Sequence, residues 1–383
     1  MSGFLLSTVL LPKLDTRSLG QCVWMAKAYL HRYLRLTPTL VFATFLTWKV
    51  LPLLGEGPGW WAVVTPQWEA CNRYWWVEMA YITNVFPSPA LIDGCTRISW
   101  YLSDDTMFFV AGVPLVALYH RHPHAGIAVA LLTVVSSCTY TLLWYGFRED
   151  VRFSILQGST ETFMEAYAAP WARCPVYVIG LLCGFVWHAH FRRLDSRAKQ
   201  SGVHSLEGVE ASTAAGRGFF LEGPVRTNII IATAVASAAL LALPVYGSYW
   251  AYQDTVETRV PAWADHMYLA FSRPSWAVGV ALMCALCFRG HGGIVNWFLT
   301  RPAWTTPSRL TYCAYLIHPL LLTWLYGARA YAIQFTALEY SVTYMGVAMG
   351  TFAAATAVHL VVEAPFRNLE SLARRGRGTK AGL

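Results

Sequence analysis

Three groups of residues in this chain are of types, and at spacings, that could do chemistry. Arg32 and Arg35 stand three residues apart in Tyr29-Leu-His-Arg-Tyr-Leu-Arg-Leu-Thr-Pro38, which puts both guanidinium groups on one helical face. Two such groups, with His31 beside them, can grip a phosphate in a fork that lysine cannot form. The alternative is anchoring at a membrane boundary, which one arginine would satisfy. Asp104 and Asp105 follow Trp100-Tyr-Leu-Ser103. Either Ser103 caps a helix and both acids meet the positive end of its dipole, or a carboxylate lines a reaction cavity as general acid/base or as orienter of one. His318 precedes Pro319 inside an apolar run. The proline removes a backbone donor and frees a carbonyl near residue 315. His318 either hydrogen-bonds that region, or acts as a base or binds substrate.

Other polar residues read more plainly. Glu363 closes the last apolar run in Val362-Glu-Ala-Pro-Phe-Arg367 and is expected to pair with an arginine. His359, one turn earlier, is expected to make a polar contact between helices. His120-Arg-His-Pro-His124 resembles a metal tract but reads as a solvated turn, and no metal is expected in the chain. Cys284 and Cys287 form a lone C-x-x-C inside an apolar run, and most cysteines read as small packing residues.

The elements that must position these residues cross a membrane. Hydrophobic residues make up 56% of the chain and charged residues 13%, with a mean hydropathy of +0.39. A soluble domain carries about a quarter of its residues as charges. Eight apolar runs can span: Leu36–Leu54, Trp100–Tyr119, Ala125–Tyr145, Cys174–Trp187, Ile229–Tyr249, Trp276–Phe288, Leu310–Tyr326 and Tyr344–Val362. The fourth and sixth are short and must borrow flanking residues. None alternates with period two, so little in the runs favours a barrel. The N-terminal stretch Met1–Leu14 is apolar from its third residue and reads as a partial span. The fold class is therefore all-α, a polytopic bundle of about eight full spans plus that partial one.

The net charge of +8 reflects topology rather than nucleic-acid binding. With Arg32 and Arg35 on the cytosolic side, twenty of the 29 Lys and Arg fall in cytosolic segments, and most of the acids fall opposite. The same count places residues 55–99 outside the cytosol as a long aromatic loop, with an interfacial helix over Arg73–Val85. Cys71 and Cys95 share that loop, on an oxidising side if this is a secretory-pathway membrane, and a disulfide between them is expected there. A polar linker at 191–227 joins two bundle halves inside a membrane domain of residues 1–370. The tail at 371–383 is basic and disordered, with anionic lipid as a partner.

Several of these motifs together resemble the membrane acyltransferase family three, in its nose resistant to fluoxetine-like branch. The Arg32–Arg35 segment looks like the family's R-x-x-R motif before a span. Ser99–Phe109, SWYLSDDTMFF, is similar to its Trp-Tyr-Leu/acidic/aromatic motif, with Asp105 at the acidic position. Ser308–Pro319 resembles the animal branch closely, and Glu363-Ala-Pro-Phe366 resembles the closing motif. The resemblance implies acyl transfer from acyl-coenzyme A to a hydroxyl acceptor such as a lipid, a sterol or another small molecule. It implies coenzyme phosphates at Arg32 and Arg35, and a role for Asp105 in orienting or assisting the base. It also implies a catalytic histidine in a first core span ahead of a Leu-Ser-Gly-Phe segment. Met1-Ser-Gly-Phe4 looks like the end of that segment, and no histidine precedes His31. The chain is therefore expected to be truncated and impaired, with His318 as the substitute base to consider. Membrane lipids and acyl-coenzyme A are the expected partners, and the endoplasmic reticulum or plasma membrane the expected location. Two competing readings are a lipid or small-molecule transporter or binding protein, which broken helices and polar residues in spans also suit, and an inactive product.

Overall fold

The computed structural model describes residues 1–16, 21–57, 59–86, 94–146, 167–200, 227–247, 249, 261–329, 336–369 and 372. Among them are eleven α-helices and no strand: α1 (Ser2–Thr16), α2 (Gln21–Phe45), α3 (Trp60–Met79), α4 (Ser99–Arg121), α5 (Pro123–Gly146), α6 (Pro170–Gln200), α7 (Thr227–Tyr246), α8 (Ala262–Phe288), α9 (Gly293–Leu299), α10 (Thr305–Gly327) and α11 (Ala337–Val358). In lipid no water satisfies exposed backbone groups, so helices that close their own hydrogen bonds are the natural product of such apolar runs. Seven of the described helices are long and apolar enough to cross a membrane. The eighth run expected from the sequence is α10, 23 residues long but less apolar. In α7 only Ser237 is buried while Ile229, Ile231, Val235 and Leu243 are exposed. Such a surface is stable against lipid, not water.

Both short runs borrow neighbours as expected. α6 extends to 31 residues and α8 to 27. The extension of α6 makes the start of the expected linker helical through Gln200. The rest of that linker, residues 201–226, and nearly all of the basic tail lie outside the described residues.

The chain divides into two compact units. One comprises Met1–Gln21 and Asp104–Arg301, the other Cys22–Ser103 and Pro302–Leu383.

In the first unit α1 packs on α6, α6 on α5 and α8, and α7 on α8. Lipid-embedded helices associate through close packing of small residues rather than through hydrophobic drive. Gly3 and Ser7 on α1 face Gly180 and Gly184 on α6 in that way. A Cβ on Gly3 would strike the Tyr177 carbonyl oxygen, and one on Gly184 the Ser7 hydroxyl. Gly184→Leu is therefore expected to push the two helices apart and destabilise the unit by about 1–3 kcal/mol. Thermal melting of the purified protein should show a lowered Tm, with Val186→Leu, at an exposed neighbour, leaving it unchanged. Hydroxyls tie other pairs to carbonyls. Ser237 donates to Gly279 at 2.9 Å, Tyr268 to Pro244 at 2.6 Å and Tyr119 to Phe185 at 3.1 Å.

In the second unit α10 lies alongside α2. Tyr312 Oη donates to the Leu36 carbonyl at 2.7 Å, and Trp324 Nε1 to that of Leu54 at 2.9 Å. α11 packs on α10. Leu40, Ala43, Cys313, Ile317, Ala355 and Val358 form the core between these three helices.

Candidate functional site

Arg32 and Arg35 lie inside a helix, on the turns just ahead of its apolar run Leu36–Leu54. α2 begins at Gln21 and continues through a π-helical turn (Leu46–Val50) and a 3-10 turn (Leu51–Leu53). The 31-residue stretch Val23–Leu53 holds an apolar window long enough to cross a membrane. Both arginines remain on one face, with Arg32 half-buried and Arg35 exposed.

Of the described residues in the expected aromatic loop, the larger part is α3, a 20-residue helix folded back along α2. Four side-chain contacts mark its antiparallel course. Trp60 Nε1 donates to the Pro52 carbonyl (3.4 Å), Trp48 Nε1 to Asn72 Oδ1 (2.8 Å), Thr44 Oγ1 to Glu78 Oε2 (2.9 Å), and the Thr37 and Tyr81 hydroxyls share a hydrogen bond (3.1 Å). The helix expected over Arg73–Val85 is thus the end of α3, which stops at Met79 because Tyr81 takes a left-handed conformation, φ 57°. That conformation destabilises a non-glycine residue by roughly 1–2 kcal/mol. It turns the Tyr81 ring onto Tyr33, with centroids 6.0 Å apart. Burial pushes the Tyr81 hydroxyl up to about 12; the Thr37 hydrogen bond and the Arg32 charge pull the other way. A neutral hydroxyl, able to donate or to accept, therefore stands beside the two guanidinium groups of the arginine-bearing turn.

Glu78 is the polar centre of this unit, and sequence reasoning missed it. It is 1% exposed. Its Oε1 accepts from the Thr96 amide (2.7 Å), the Thr96 hydroxyl (3.0 Å) and the Ser99 hydroxyl (3.2 Å), and its Oε2 from Thr44. Burial pushes the Glu78 carboxyl up, against the pull of those hydrogen bonds. The expected disulfide between Cys71 and Cys95 is present, next to this node, and Gln67 Nε2 donates to the Cys95 carbonyl at 2.8 Å. A shallow cleft opens here between Tyr74, Phe86, Arg97 and Trp100. The bridge closes a 24-residue separation, so Cys71→Ser is expected to lower stability by about 3 kcal/mol. Reductant should lower the wild-type Tm by a similar amount and leave the variant unchanged.

His318 takes the plainer of its two structural options while keeping a reactive atom. Its Nδ1 lies 3.3 Å from the Ala314 carbonyl oxygen, one turn earlier and one residue before the carbonyl expected to be freed by Pro319. A carbonyl only accepts, so Nδ1 donates and the Nε2 lone pair is available as a base or acceptor. Glu363 does not take the expected arginine in these contacts. Its Oε2 accepts from the Cys313 thiol at 3.1 Å and from His359 Nδ1 at 2.9 Å. His359 therefore meets its own helix rather than a neighbour, across a π-helical turn, His359–Glu363.

Asp105 lies on α4 in the unit that contains α1, half-buried, while Arg32, Arg35 and His318 belong to the other unit. The helix starts at Ser99, so Ser103 is not its cap. Ser103 instead shares a 2.7 Å hydrogen bond with Thr83, and Asp104 is buried one turn into the helix. The His120–His124 tract also differs from a merely solvated turn. His120 Nε2 lies 3.0 Å from Asp15 Oδ1, tying the end of α4 to the end of α1, and His188, within α6, places its Nε2 3.3 Å from Asp15 Oδ2. His122 and His124 are exposed.

What these elements define is a multi-pass membrane protein with two arginines on one face of a long helix and a histidine beside a proline on another. A sequence profile of the acyltransferase domain family, Acyl_transf_3, matches residues 1–360, and the chain belongs to that family. It is similar to nose resistant to fluoxetine protein 6 of Caenorhabditis elegans, at 22% identity over 354 residues. The match covers 90% of this chain and 39% of that relative. No solved structure matches the chain.

Proposed function

We propose that this chain binds acyl-coenzyme A and transfers its acyl group to a hydroxyl acceptor, a lipid, sterol or other small molecule, in an endoplasmic reticulum or plasma membrane. The observation that carries the reading is the turn of α2 that presents Arg32 and Arg35 on one face beside the neutral Tyr81 hydroxyl, within a chain of an acyltransferase family. A forked pair of guanidinium groups suits the phosphates of a coenzyme. His318, with Nδ1 engaged by a carbonyl, supplies Nε2 as the base. It takes the acceptor hydroxyl proton as the oxygen attacks the thioester carbonyl. The C–O bond forms, the C–S bond breaks, and the imidazolium returns the proton to the departing coenzyme thiolate.

The test is transfer of a labelled acyl group from acyl-coenzyme A into membrane lipid extract by protein in nanodiscs. The reading expects labelled ester and stoichiometric free coenzyme. His318→Gln should lower kcat by roughly 10²–10⁴-fold without moving KM for the donor. Binding of acyl-coenzyme A without ester, in the presence of the extract, would favour the transport or binding reading instead.

A further inference from the structure

We propose that Cys313, His359 and Glu363 form a zinc site. The three residues each offer one ligand atom, and these atoms lie within 4.8 Å of one another. They come from two elements: Cys313 from α10, and His359 and Glu363 from the π-helical turn that continues α11. Two ligands four residues apart on one helical turn reach a common ion, as in zinc sites generally. π-Helical turns recur at functional positions because they re-aim side chains.

The donor set selects the metal. Thiolate, imidazole and carboxylate together suit zinc, whereas magnesium and calcium take oxygen alone. The geometry is close to what the ion needs. With Zn–S of about 2.3 Å and Zn–N and Zn–O of about 2.0–2.1 Å, tetrahedral ligands stand roughly 3.3–3.6 Å apart. The present separations are 3.1 Å from Sγ to Oε2 and 2.9 Å from Nδ1 to Oε2. The third pair, Sγ and Nδ1, lies within 4.8 Å, so side-chain adjustments alone bring the three atoms to ligand distances. Cys313 is fully buried, and the His359 and Glu363 side chains are 14% and 13% exposed, so the ion would be shielded from competing water. Binding replaces the thiol proton that Cys313 donates to Glu363. The imidazole proton moves to Nε2, leaving Nδ1 to ligate, and each ion bound releases one proton. Three protein ligands leave a fourth position for water or a substrate oxygen. The site stands independently of the acyl-transfer reading.

The experiment is elemental analysis of the full chain purified in detergent without chelator, followed by replacement of the metal with Co2+. The proposal expects one zinc per chain and a thiolate-to-cobalt charge-transfer band in the near ultraviolet. Cys313→Ser, a near-isosteric change, should abolish the band while the protein keeps its size-exclusion profile. His359→Gln and Glu363→Gln should each weaken Co2+ binding by more than roughly 100-fold, since even an outer-shell partner is worth 10–100-fold. Cys174→Ser should change neither measurement. Wild-type protein that carries no zinc and gives no band, or a band unchanged in Cys313→Ser, would overturn the site.

Discussion

Replacing Glu78 with alanine is expected to leave little folded protein. The carboxylate is the common acceptor for the Thr96 amide and for the hydroxyls of Thr96, Ser99 and Thr44, in a site that is almost closed to solvent. Each buried donor left without an acceptor costs about 1–3 kcal/mol. Several such losses are comparable with a whole domain's stability of about 5–15 kcal/mol. The contacts also join α2, α3 and the start of α4, so the loss is not local. Glu78→Gln should be much milder, at about 1–2 kcal/mol, because its amide oxygen can serve Thr96 and Ser99 while the Thr44 hydroxyl turns round to accept from the amide nitrogen. The check is monodisperse yield and Tm in detergent for wild type, Glu78→Gln and Glu78→Ala. Stability close to wild type in the alanine variant would show that the node holds nothing together.

The double variant Arg32→Ala/Arg35→Ala is expected to lose more than roughly 100-fold in affinity for acyl-coenzyme A, since each charge-assisted hydrogen bond contributes about 1.5–3 kcal/mol and 1.4 kcal/mol is tenfold. Arg35 is exposed, so Arg35→Ala alone separates binding from folding and should lower affinity by at least roughly tenfold at unchanged Tm. Arg35→Lys should recover only part of it, because a point charge cannot reproduce the fork. Raising the salt should weaken wild-type binding more than binding by the double variant. Isothermal titration or a filter assay with labelled donor reads all of these.

The bundle was legible in the sequence because lipid imposes a coarse code. Long apolar runs become helices, and the runs at 100–119, 125–145 and 229–249 sit within a few residues of α4, α5 and α7. What escaped was α3. Gln67, Glu69, Asn72, Arg73 and Glu78 interrupt its apolar pattern, so a helix lying against α2 looked like a loop. Its polar residues are satisfied by partners distant in sequence, as Asn72 is by Trp48 and Glu78 by Thr44 and Thr96. Missing the hairpin meant missing Tyr81, which only that course delivers to the Arg32 turn. The start of α2 was lost for a related reason: Lys27, Arg32 and Arg35 hid a helix that begins at Gln21, well ahead of its apolar run. For Glu363 the acid was legible but its partners were not, since the thiol of Cys313 lies fifty residues away and looked like packing. A faint signal existed in the His359–Glu363 spacing, which places two potential ligands one turn apart.

The central claim is that the arginine-bearing turn of α2 recognises the phosphate end of an acyl-coenzyme A. Its most direct test is competition for labelled long-chain acyl-coenzyme A bound to the purified chain in nanodiscs, with free coenzyme A and phosphate-free pantetheine as competitors. Displacement by coenzyme A at concentrations at least roughly 100-fold below those needed for pantetheine is the expected result, the two phosphate-gripping arginines accounting for the difference. Equal displacement by both, or no saturable binding of the labelled donor, would contradict it.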